Sequence, residues 1–177
     1  MNPAHLHLML NHVPLFGALA VTILCAAALL KRQQGLARGG LFVAVLAAIV
    51  SLAVYLTGEP AEEMVENLPG VSEAVLETHE EIALVATVVL GAFGVLALVS
   101  LFAFRHGVTM RFTRILLALS LLPLAAIAYT AYLGGQIRHS EIRTGALAQG
   151  GEAGAAENEG GNGADASNAG EERDDDD

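Results

Sequence analysis

The stretch Ile82-Ala83-Leu84-Val85-Ala86-Thr87-Val88-Val89-Leu90-Gly91-Ala92-Phe93-Gly94-Val95-Leu96-Ala97-Leu98-Val99-Ser100-Leu101-Phe102-Ala103-Phe104 contains no charged residue. A soluble helix of this length would place polar side chains at every third or fourth position along its wet face. Here only Thr87 and Ser100 interrupt the run. A helix needs about 20 apolar residues, each rising about 1.5 Å, to cross a hydrocarbon core. The stretch therefore reads as a transmembrane helix. Three further apolar blocks, at residues 6–30, 41–56 and 115–133, read the same way, the second extended inward through the segment 35–40. The expected fold is all-α: an integral membrane four-helix bundle over residues 1–144, with spans at 6–30, 36–57, 80–104 and 112–133. Composition agrees, since 54% hydrophobic and 16% charged residues lie outside the range of soluble domains.

The first block lacks a basic leader and is longer than a typical signal core, so it reads as a retained span. The sole cysteine, Cys25, lies mid-span, which excludes a disulfide framework and suits a small packing residue.

Charge sets the expected orientation. Lys31, Arg32 and Arg38 follow the first span, and Arg105, Arg111 and Arg114 follow the third, with no acid in either loop. Of the 19 acidic residues, eight fall within 58–81, one is Glu141, and ten lie in the tail. Lys and Arg accumulate in cytoplasmic loops, so both termini and the acidic connection are expected outside the cytoplasm of a cell inner or plasma membrane. Tyr55, Tyr129 and Tyr132 then fall at the outer interface, where amphipathic rings settle. From 145 to 177 the chain is rich in Gly, Ala, Asn, Asp and Glu, and it ends in four aspartates. Such a segment buries too little apolar surface to offset its ordering entropy and reads as a disordered acidic tail. It is either a solvating extension or a docking tail for a cationic extracytoplasmic protein, such as a basic electron carrier.

Five of the six histidines gather at the expected outer side: His5, His7 and His12 in the first span, His79 at the third, and His139 after the fourth. Only His106 lies in a basic loop. Helix rise puts His7, His79 and His139 roughly 35–40 Å above the inner ends, and His12 nearer to about 27 Å. His5 and His12 share a helix face, and His7 points elsewhere. A single histidine at such an interface is ordinarily a polar anchor. Imidazoles from three helices at one end also suit a cofactor, because imidazole binds transition metals and haem iron.

The candidate cofactor ligands are His7, His12, His79 and His139. For a bare Cu or Zn ion the set is His12, His79, His139 and Glu80. Helix faces of small residues and histidines facing into a bundle favour b-type haem. Covalent haem attachment is excluded by the missing Cys-x-x-Cys-His. The net charge of −10 and topologically committed basic residues exclude nucleic-acid binding.

His7-x-x-x-x-His12-x-Pro14, His79 at the third helix, and Gly134-Gly135 with His139 beyond resemble a widespread family of uncharacterised bacterial four-helix membrane proteins. The resemblance covers about residues 5–140. It departs at Leu8, where the family carries proline, at Val13, where it carries phenylalanine, and in the shorter step from Gly135 to His139. It implies a four-helix fold, and its histidines invite a haem or redox role. Two functions remain open: a small b-type-cytochrome-like electron carrier working with an external partner or a respiratory complex, and a non-enzymatic accessory subunit whose outer histidines sense pH or bind a transition metal.

Overall fold

Proline has no N–H to give the carbonyl four residues back, and its ring crowds that carbonyl. For Pro14 the carbonyl belongs to Leu10. In the computed structural model, which describes residues 2–143, the first span breaks at Asn11 into α1 (Pro3–Leu10) and α2 (His12–Lys31). There follow α3 (Gln34–Leu56), a short α4 (Gly58–Glu62), α5 (Glu73–Ala103), α6 (Met110–Arg138) and a 3-10 turn at Ser140–Ile142. The expected disordered tail lies outside the described residues.

Four helical segments are long and apolar enough to cross a membrane: Pro3–Lys31, Gln34–Leu56, Glu73–Ala103 and Met110–Arg138. They pack in ring order, α2 on α3, α3 on α5, α5 on α6, and α6 back on α2. Short connections make sequence neighbours antiparallel. The α2–α3 turn is closed by Arg32, whose φ of 52° is left-handed, and by the Gln33 N–H, which reaches the Ala28 carbonyl at 3.0 Å. That bond ties off one of the carbonyls a helix end leaves free. At the start of α6 the Thr109 hydroxyl accepts the Phe112 N–H at 3.3 Å.

The packing is inverted relative to a soluble protein. Ala28, Ala37, Ala44, Ala86 and Ala97 are wholly buried, whereas Phe16, Ile23, Leu46, Leu122 and Phe102 are exposed. Small residues inside let helix backbones approach closely, and large apolar ones outside suit lipid contact. A Cβ on Gly17 would lie 2.7 Å from that of Ala47, and one on Gly94 would collide with Ala48. Polar contacts also cross the interior. The Thr22 and Ser120 hydroxyls lie 3.0 Å apart between α2 and α6, and Ser51 donates to Thr87 at 3.4 Å between α3 and α5.

Two helices outrun their apolar blocks. α5 starts at Glu73 rather than near residue 80, and α6 continues to Arg138. Val75 and Leu76 are buried, at 0% and 5% exposure, so the first turns of α5 have an apolar side to pack although Glu73 and Glu77 face water.

Candidate functional site

The acidic end of the bundle is capped by α1, which packs on α4 and touches α3. That position follows from the break at Asn11. It brings His7 to the C-terminal end of α3, where the last carbonyls have no helical N–H partner. His7 Nδ1 lies 3.1 Å from the Val54 carbonyl oxygen and 3.3 Å from Thr57 Oγ1. The Thr57 hydroxyl itself donates to the same carbonyl at 2.8 Å.

His79 sits in the second turn of α5 and reaches α6. Its Nδ1 is 3.1 Å from the Thr130 carbonyl oxygen. Gly134 permits the approach, since a Cβ there would lie 3.1 Å from His79 Cε1. A carbonyl oxygen only accepts, so in both histidines Nδ1 carries the proton and Nε2 keeps its lone pair. Both rings are half-buried.

The remaining expected ligands lie differently. His12 is the first residue of α2 and is exposed, as is His5. His139 caps α6, is 62% exposed, and pairs with Glu141 through Nδ1 at 2.9 Å. Hydrogen bonding from its own backbone N–H, then from the His139 ring, holds the Glu141 carboxyl below its usual range. Glu80 is exposed and faces Glu62 of α4 closely enough for the two charges to interact. His106 is exposed at the opposite, basic end. Among the described residues, no group of three or more His, Cys, Asp or Glu side chains is arranged to hold a metal ion. Of the expected ligands, His7 and His79 are the two whose rings are each held by a backbone carbonyl.

Three buried polar atoms at the acidic end make no hydrogen bond within the described residues: Asn11 Oδ1, Ser72 Oγ and Gln136 Oε1. Buried polar atoms are ordinarily paired, so this end holds hydrogen-bonding capacity for water or a ligand. The sequence pointed to His7, His79 and Gly134. It gave no sign of the Val54 and Thr130 carbonyls, because every residue carries such a group.

Gly17 packs closely on Ala47, and Gly94 on Ala48, along the helix contacts of the bundle. Compared with known proteins, the chain matches no family model, no curated sequence and no solved structure.

Proposed function

We propose that this chain is a small redox protein of a cell inner or plasma membrane, with both termini outside the cytoplasm. In this reading His7 and His79 hold a transition-metal centre at its acidic end. The centre is b-type haem in the first instance, and a copper ion in its variant. One observation carries the reading: both Nδ1 atoms are engaged by backbone carbonyls, at 3.1 Å each, which leaves both Nε2 lone pairs free. A hydrogen bond of this kind fixes the tautomer and raises the basicity of a metal-ligating imidazole. Two neutral imidazoles are a donor set that haem iron and copper both accept.

Haem iron would supply one-electron chemistry. The chain's own contribution is to hold two rings from α1 and α5, fix their protons on Nδ1, and keep the site at the wet edge of the bundle. Eight glutamates within 58–81 give this end a field suited to a cationic electron carrier or a basic face of a respiratory complex.

Absorption of the detergent-purified full chain tests the reading. A Soret band that sharpens on dithionite reduction, or stoichiometric redox-active copper, is expected; stoichiometric zinc in a colourless protein would assign the histidines to a metal-binding accessory subunit instead. His7→Ala and His79→Ala should each abolish the haem or copper signal, and His106→Ala should not. A parent protein free of both haem and metal would overturn the reading.

The same bonds favour a second reading, an accessory subunit in which the imidazoles are struts. Each ties its own helix to the backbone of another, α1 to α3 and α5 to α6. A cofactor-free parent destabilised by either alanine variant would assign them that role.

A further inference from the structure

The basic end holds a second arrangement that the histidine site does not use. The start of α3 and the end of α5 meet around a cavity of about 220 Å³, lined by Gln34, Gly35, Arg38, Arg105, His106 and Gly107. Arg38 donates from Nη1 to the carbonyls of Phe104 and Arg105, at 3.4 and 3.2 Å, which locks the two loops together. Gly107, with φ of 143°, leaves room for the Gln34 amide against its Cα. Gln33, at the N-cap of α3, makes no side-chain capping bond, so the first N–H groups of α3 receive no side-chain acceptor from it. Uncapped helix N-termini favour anions.

These cations have no counter-charge in their own surroundings. Residues 31–40 and 104–114 contain no acid, and the ion pair among the described residues is that of His139 with Glu141 at the other end. Apolar surface adjoins the cavity. The Arg38 guanidinium sits 5.9 Å from the ring centroid of Phe42, and Phe42 and Phe102 are 53% and 74% exposed. An anion that fits both features carries a phosphate for the arginines and an acyl chain for the phenylalanines.

We infer that the cavity at the α2–α3 and α5–α6 turns binds the phosphate of an anionic phospholipid headgroup, with Arg38 and Arg105 as its cations. Arg38 is preset by the Phe104 and Arg105 carbonyls just after α5. The Arg105 side chain is exposed and makes no bond within the described fold, so it is available to close over the headgroup. Basic recesses between transmembrane helices are suited to such headgroups, and each Arg contributes about 1 kcal/mol of attraction near an anionic surface, about a fivefold change in affinity.

The test is native mass spectrometry of the full chain in detergent, titrated with phosphatidylglycerol, with phosphatidylcholine and with inorganic phosphate. One phosphatidylglycerol should be retained per chain in preference to phosphatidylcholine. Arg105→Gln should weaken retention about fivefold, and Arg138→Gln, at the acidic end, should leave it unchanged. Because Arg38→Gln also removes the loop lock, Arg105→Gln is the deciding variant. Equal retention of both lipids, or phosphatidylglycerol retention unaltered by Arg105→Gln, would overturn the site. Saturation by inorganic phosphate that displaces phosphatidylglycerol would assign the cavity to a free oxyanion and overturn the lipid as its occupant.

Discussion

His79 and Thr130 are joined across two helices, the imidazole Nδ1 of α5 giving its proton to a carbonyl of α6 at 3.1 Å. The Thr130 carbonyl lies in the interior of α6, where it is also the regular acceptor for the N–H of Gly134 four residues on. A ring can share that acceptor only if nothing projects from the helix beside it. Gly134 meets this condition, because a Cβ there would fall 3.1 Å from His79 Cε1.

Gly134→Ala is therefore expected to push the His79 ring off Thr130 and release its tautomer. Occupancy of haem or metal in the purified variant should fall severalfold, with helix content by circular dichroism unchanged. Gly135→Ala is the control, since a Cβ there meets only Ile142 Cδ1 at 3.9 Å, an ordinary contact. Equal occupancy in both variants would separate Gly134 from the site.

The four long apolar helices were legible because a hydrocarbon core demands long uncharged runs, and the run at 82–104 carries no charge. One continuous span over 6–30 was expected, and the break at Asn11 departs from it because Pro14 has no N–H for the Leu10 carbonyl. What the break does was not legible. Rise arithmetic treats a helix as straight, whereas α1 folds against α4 and delivers His7 to the end of α3. The contacts of His7 and His79 fall on two backbone carbonyls, and His139 pairs with Glu141, two residues on. The early start of α5 was hidden because Glu73 and Glu77 resemble loop composition, while burial of Val75 and Leu76 becomes visible only once packing is known.

Gly94 and Gly91 lie one turn apart on α5 and differ in what faces them. A Cβ on Gly94 collides with Ala48 of α3, while one on Gly91 meets nothing within 4 Å. Gly94→Val should force α3 and α5 apart at a cost of about 1–3 kcal/mol, and Gly91→Val should be tolerated. Thermal unfolding of the two variants in one detergent decides the matter. Equal melting temperatures would mean that α3 and α5 are not packed through this contact.

Burial first, then the carboxylates of Glu80, Glu66 and Glu59, push the Glu62 carboxyl above its usual value. The folded state therefore holds this proton more tightly than the unfolded one. Stability contributed by Glu62 is present below its unfolded pKa and is lost as pH rises toward and through the raised folded value. The acidic end should accordingly tighten on mild acidification, read as slower amide exchange in 58–66 at pH 5 than at pH 7 after correction for intrinsic rates. Glu62→Gln should flatten that dependence and raise protection at pH 7. An unchanged pH profile in the variant would remove Glu62 as its cause.

Arg143 is only 8% exposed although it follows the last helix. Its guanidinium donates to three backbone carbonyls: Nε to Gln136 at 2.8 Å, and Nη2 to Ile137 at 2.9 Å and Gly70 at 2.6 Å. The first two are carbonyls in the last turn of α6, where a cation also meets the negative end of the helix dipole. The third belongs to the turn before α5, with Gly70 at φ of 82°. One side chain thus fastens the connection between α4 and α5 onto α6. Hydrogen bonds from a charged donor are worth about 1.5–3 kcal/mol when broken with burial of the orphaned partner. Arg143→Ala should therefore lower the unfolding temperature and speed amide exchange at Val71, whose N–H bonds the Leu68 carbonyl at 3.2 Å within the same turn. Arg143→Lys should recover only part of the loss, because an ammonium is a single point that cannot span three carbonyls as a planar fork does. Exchange at Val71 that is unaltered in Arg143→Ala would show that the turn is held by other contacts.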